Sequence, residues 1–146
     1  MAYGTPADLI AEYGEAEIAR LTTPEGESLD GVVMATAERA LATASDTIDS
    51  YLRRRYVVPL PGAVPLSIRR VCLLLARYDL AHGRGHVPTE QMRLARKDEL
   101  TWLGKIGTGD VTLDGLVASQ PAGGDAPMAL ATDRERIFTD ESLRGW

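Results

Sequence analysis

His82 and His86 lie four residues apart in HGRGH, and they are the only histidines in the chain. On a helix that spacing would aim two imidazoles at one metal ion. Gly83 and Gly85 interrupt them, however, and no His-Glu-x-x-His pattern supplies a third ligand, so the segment is expected to be a loop. Cys72 is the sole cysteine and sits inside the apolar run VCLLLA, which predicts a buried structural thiol and leaves no partner for an internal disulfide. GRG is too short to cradle a phosphate, and neither a P-loop nor a Gly-x-Ser-x-Gly turn occurs. The carboxylates are scattered over polar helix faces. The expectation is a protein with no catalytic, metal or cofactor residues.

Arginine offers the other chemistry. Arg53, Arg54 and Arg55 are consecutive in IDSYLRRRYVVPL, and Arg69 and Arg70 follow a proline-rich stretch. Cations in the last turn of a helix complement its dipole, which accounts for one or two of the first three. Successive helical residues point ~100° apart, so three neighbours cannot share one face, and at least one is expected to turn toward the protein or a neighbour. Arg69 and Arg70 are placed near a helix start, where the dipole disfavours them, as if kept for a partner. Three readings stay open: a salt bridge to another subunit or partner, which is preferred, a solvated helix end, or contact with DNA. The whole chain carries 16 Lys and Arg against 21 Asp and Glu, and that acidic balance disfavours a dedicated nucleic-acid surface.

The elements that must position these residues are helical. Aromatics are few and alanine is plentiful, which suits close helix packing. Thr5-Pro6 with Asp8 marks a helix start, and Gly14 a left-handed stop before a second turn or two from Glu15 to Leu21. From Val33 to Leu52 apolar and small residues recur at steps of three and four, through Ala37, Ala40, Leu41, Ala44, Ile48 and Tyr51. Ser45, Asp46 and Asp49 are assigned to the other faces, and the helix is expected to end near Tyr56. PLPGAVP is a rigid connector. Pro65–Ala81 is apolar on nearly every side and therefore central, and a charged helix runs from about Pro88 to Ile106. After Gly107, GTGDVTLDG has the alternation of a short strand or hairpin, and the Gly-, Ala- and Pro-rich stretch beyond it has no period. Phe138, Leu143 and Trp146 close the chain among charges, either as a disordered tail or as anchors for a docked arm.

The expected fold is all-α: a compact bundle of about four helices with one long central helix over residues 1–106, and an extended C-terminal arm over 107–146. No signal peptide and no stretch of ~18 apolar residues is visible, so the chain reads as soluble and intracellular.

The order of short motifs carries a resemblance. Tyr3, Pro6-x-Asp8-Leu9-Ile10 and Tyr13-Gly14-Glu15 precede Ile48-Asp49-Ser50-Tyr51-Leu52, Arg55-Tyr56 and Pro59-Leu60. Val64-Pro65, Ala76-Arg77-Tyr78-x-Leu80, Leu103, Ile106-x-Thr108-Gly109 and a terminal Arg136-x-Phe138-Thr139 with Leu143-x-Gly145-Trp146 complete it. This resembles the small proteins encoded among the head genes of Mu-like phages and prophages, and the wider group of helical head–tail connector (adaptor) proteins of tailed phages. The resemblance implies a structural subunit in the virion, assembled in the host cytoplasm into a ring, typically a dodecamer, beneath the portal protein. Such a ring extends the DNA channel and meets the next connector or a tail-completion protein. Duplex DNA would pass through its lumen without sequence-specific binding, and no membrane is involved. It further implies that the arm reaches the portal or a neighbouring subunit, with Arg136, Phe138, Leu143 and Trp146 as anchors beside the interface arginines Arg53, Arg54, Arg55, Arg69 and Arg70. The runner-up is a small nucleic-acid-binding or regulatory helical protein that uses the Arg53–Arg55 cluster.

Overall fold

Thr5 and Pro6 start the first helix as their chemistry requires. In the computed structural model, which describes residues 2–83, 85–116 and 118–119, the Thr5 hydroxyl accepts from the Asp8 N–H while the Asp8 carboxylate accepts from the Thr5 N–H. That reciprocal capping opens α1 (Pro6–Tyr13). The two hydrogen bonds from Thr5 hold the Asp8 carboxyl below the usual range, and Arg69 adds to the effect. Gly14 is at φ 87°, but its ψ of 146° is extended rather than left-handed. The reason is that one residue serves both neighbours. Its N–H donates to the Ile10 carbonyl at 2.9 Å, and its own carbonyl accepts from Ile18 at 3.2 Å, so α2 (Glu15–Thr22) begins with no loop between.

Three longer helices follow: α3 (Met34–Leu52), α4 (Leu66–Ala81) and α5 (Glu90–Thr108). α5 starts at Glu90 rather than Pro88, because the Thr89 hydroxyl caps it by accepting from the Met92 N–H at 3.3 Å. The Ser45 hydroxyl meets the Cys72 thiol at 3.4 Å, while Thr36 and Ala40 share a recess with Leu80 and Gly83. Rising numbers on α3 thus match falling numbers on α4, and the two run antiparallel. Arg70 with Glu99 and Tyr78 with Arg96 set α5 antiparallel to α4 in the same way. The five described helices form an all-α bundle, one more than the sequence count because the Gly14 junction divides the first.

The core is made where the apolar stripes converge. Leu41, Ile48, Leu52, Ile68, Val71, Cys72, Leu103 and Ile106 are all fully or almost fully buried. Each side chain of this size contributes roughly 1.5–3 kcal/mol on leaving water. α4 is buried on most sides, as its sequence predicted, although Leu66 in its first turn is 79% exposed. Ser45 is a correction. It lies on the buried face, where its hydroxyl donates to the Leu41 carbonyl at 2.8 Å and accepts from the Tyr3 N–H at 2.9 Å. Satisfied in this way, a polar group sits inside without penalty, and hydropathy alone could not place it. Cys72 is buried, and burial pushes its thiol up, away from the reactive thiolate.

Tyr3 ties the N-terminus to the connector. Its hydroxyl donates to the Asp49 carboxylate and accepts from the Leu60 N–H at 3.1 Å. Burial, and then the bond to Asp49, push the phenol above the ordinary tyrosine value. A raised folded-state value means that the neutral phenol is favoured by folding. This stabilisation is complete below pH ~10 and is lost as pH rises further. Tyr3→Phe is expected to cost about 1–2 kcal/mol at neutral pH, because the buried Leu60 N–H loses its acceptor. Urea melts at pH 7 and above pH 10 check this, and the gap between the two proteins should narrow in alkali.

Candidate functional site

The long helix stops at Leu52, one turn earlier than its sequence implies. Arg55 and Tyr56 both donate their N–H to the Leu52 carbonyl, at 2.9 Å each, and this tightens the chain into a final turn. The early stop lets Tyr56 turn inward. It is buried, pairs its backbone with Ala118 in one isolated antiparallel bridge, and accepts the Leu113 N–H on its hydroxyl at 2.9 Å. Among the described residues after Gly107 no strand forms. That bridge stands where a strand or hairpin was expected.

The three arginines therefore lie just beyond α3, and they part company. Arg53 and Arg54 are exposed, and the Arg53 Nε makes only a long 3.4 Å contact back to the Asp49 carbonyl. Arg55 is half-buried and turned toward α5. Its guanidinium fills the space beside Gly109, at φ 98°, where a Cβ would collide with it. The Arg55 carbonyl accepts from the Ser119 N–H at 2.8 Å. One residue of the three thus holds the C-terminal segment against the bundle while two face outward. Gly107 makes this possible, since a Cβ there would stand 2.9 Å from the Tyr51 carbonyl oxygen.

The second basic pair divides too. Arg70 reaches Glu99 on α5 at 2.8 Å, a partner within the chain, whereas Arg69 is exposed near Asp8. The Arg70 side chain is 64% exposed, so this pair is worth at most about 1 kcal/mol. Arg136, Phe138, Leu143 and Trp146 lie outside the described residues. Sequence reasoning missed Tyr56, Glu99 and Gly109 as the residues that place the arginines. Gly109 following Lys105 and Thr108 was a legible helix stop, but the partner of Glu99 on another helix was not.

The histidines do not converge. His82 caps α4 and stacks on Tyr78 with ring centroids 5.8 Å apart, while the His86 Nε2 lies 3.2 Å from the Thr23 carbonyl. Among the described residues no three His, Cys, Asp or Glu side chains are grouped to hold a metal. Beside His82, burial raises the Asp79 carboxyl, and Arg96 and His82 partly offset this. A raised folded-state carboxyl costs stability when ionised, and the cost disappears as pH falls through its raised value. Asp79→Asn is accordingly expected to raise the thermal midpoint at pH 7, with the difference shrinking toward pH 4 in a calorimetric series.

Residues 3–130 match the family described as Bacteriophage Mu, Gp36, and the chain belongs to that family. It is 36% identical over 130 residues to gene product J of Escherichia phage Mu, covering 86% of each chain. It is 38% identical over 112 residues to the Mu-like prophage FluMu protein gp36 of Haemophilus influenzae, covering 76% of this chain and 74% of the relative. Among the described residues no helix is long and apolar enough to cross a membrane.

Proposed function

We propose that this protein is a non-enzymatic subunit of a phage head–tail connector (adaptor) ring, which binds below the portal, extends the DNA channel and links capsid to tail. The bundle through the end of α5 at Thr108 supplies the helical body, and the residues beyond it supply an arm that reaches the portal or a neighbouring subunit. The observation that carries this reading is the arrangement at Leu52–Tyr56. The exposed Arg53 and Arg54 stand where Arg55 and Tyr56 hold the departing segment at Leu113, Ala118 and Ser119. A rigid body that presents two free cations beside the root of a long C-terminal segment is suited to gripping an adjacent chain. Membership of a Mu phage family is consistent with a role in the particle. The acidic whole suits a conduit along which DNA slides rather than one that holds it.

Negative-stain electron microscopy of the full chain mixed with the portal protein of its own phage tests the proposal. A ring of added density on the portal is the expected result, and a bare portal at every ratio and salt concentration would remove the proposal. The second reading, a nucleic-acid-binding or regulatory protein, draws on the same exposed arginines. It requires duplex DNA binding that weakens steeply with salt and is abolished by Arg53→Ala with Arg54→Ala.

A further inference from the structure

A group of exposed carboxylates and a group of exposed arginines lie at opposite ends of α3. From Leu21 to Glu38 the chain has Glu25, Glu27, Asp30 and Glu38 and not one Lys or Arg, and all four carboxylates are exposed. From Ser50 to Tyr78 it has Arg53, Arg54, Arg55, Arg69, Arg70 and Arg77 and not one Asp or Glu. α3 separates the carboxylates from Arg53, Arg54 and Arg55, whereas Arg77, near the far end of α4, pairs with Glu17. The 19 residues of α3 run from the acidic loop to the arginine turn, a distance of about 28 Å. Because α4 is antiparallel to α3, Arg69 and Arg70 in its N-terminal part fall at the arginine end.

Neighbouring charges of the other sign reduce the contrast. Arg20, Arg39 and the Glu17-paired Arg77 border the acidic end, and Asp8, Asp49, Glu99 and Asp110 border the basic one. Among the described residues, none of Arg53, Arg54, Arg69, Glu25, Glu27, Asp30 and Glu38 takes part in an ion pair.

Each end also exposes large apolar side chains. Leu29, Val33 and Met34 are 63%, 41% and 51% exposed beside the carboxylates. Val57 and Leu66 are 45% and 79% exposed beside the arginines. An apolar patch rimmed by charge is the usual composition of a protein contact, and here the two rims have opposite sign.

We infer that the acidic end, around Glu25, Glu27, Leu29 and Met34, docks the basic end, around Arg53, Arg54, Leu66 and Arg69, of a second copy of this chain. The contact is heterologous: one patch meets a different patch, and each copy keeps one of each free for the next. Two like ends brought together would juxtapose charges of one sign, which disfavours an isologous pair. This inference supplies a subunit contact for the proposed ring, yet it rests on the charge and exposure of the bundle and can stand if the head–tail role fails.

The test is chemical cross-linking between two single variants of the full chain, Leu29→Cys and Leu66→Cys, one of them carrying a mass tag. A short bifunctional maleimide joins them in the mixture. Cys72 is buried, and the unaltered protein measures its background. Both altered positions are exposed, and circular dichroism checks that each variant folds as the parent does. The mixed 29–66 product is expected to exceed the 29–29 and 66–66 products by about tenfold at low salt, and to fall as salt screens the ends. Arg53→Glu with Arg54→Glu in the Leu66→Cys chain should remove most of it. Glu25→Lys with Glu27→Lys in the Leu29→Cys chain should then restore it. Equal or greater yields of the like-with-like products would overturn the inference. So would a 29–66 yield no higher than that of an exposed control, Lys97→Cys mixed with Leu66→Cys. Mixed cross-links without any ring on the portal would leave the contact standing and remove the connector role; a ring on the portal without mixed cross-links would do the reverse.

Discussion

Ile48→Ala is expected to destabilise the protein by about 2–5 kcal/mol, whereas Leu66→Ala should change stability by less than about 0.5 kcal/mol. Both are large apolar residues within helices, and pattern alone rates them alike. Ile48 is fully buried near the middle of the bundle, so truncation removes contacts on every side and leaves a cavity that rigid helices close only in part. Leu66 stands in the first turn of α4 with most of its surface in water already. In thermal melts the first change should lower the midpoint by roughly 10 °C and the second should leave it nearly unmoved. A solvent-tolerant residue with no effect on folding is a residue available to a partner, so the contrast bears on the interface as well as on the core.

Gly107→Val has the second large effect, and it acts where folding and assembly meet. The helices α3 and α5 approach closely because residue 107 has no side chain. Any Cβ there meets the Tyr51 carbonyl oxygen at 2.9 Å, and a backbone oxygen cannot swing aside as a side-chain tip can. The obstruction should cost up to about 3 kcal/mol through displacement of the α5 C-terminus. The consequences extend past stability, since Arg55 packs on Gly109, Tyr56 binds Leu113 and Arg55 binds Ser119. Moving the end of α5 detaches all three. Hydrogen exchange should show protection lost at Leu113 and Ser119, with the α3–α4 interface still protected around Ile48 and Val71. Equal exchange in variant and parent at Leu113 would mean that the segment is held by something other than this close approach.

Most of the bundle could be read from the order of residues, because local chemistry and long-range packing agree there. Thr5-Pro6 with Asp8 specifies a capped helix start whatever surrounds it, and the Ala37–Leu52 stripe can bury only one face. The differences arise where one residue answers two demands. Gly14 ends one helix while beginning another, so it keeps a positive φ of 87° but takes a ψ of 146°, outside the left-handed helical region. Tyr56 leaves the helix to be buried and to pair with Ala118, a residue 62 positions away that no local pattern could name. Ser45 looked outward by hydropathy, yet its hydroxyl joins the Leu41 carbonyl, the Tyr3 amide and the Cys72 thiol inside.

The arginines show the same limit at the site. A run of three on a helix implied divergent directions, and Arg55 does turn inward while Arg53 and Arg54 do not. Which of the three turned inward depended on Gly109, and the intrachain partner of Arg70 depended on how α4 and α5 align. Both follow from tertiary packing. The charge contrast between the two ends of α3 was present in the residue order but acquires meaning only once α3 is known to hold the ends apart and α4 to return along it.

The head–tail role is tested most directly by electron microscopy of lysates from the phage that encodes this protein, with a stop codon early in its gene. The proposal predicts separate heads and complete free tails that never join, with joining restored when the protein is supplied from a plasmid. Intact tailed particles in normal numbers would contradict it.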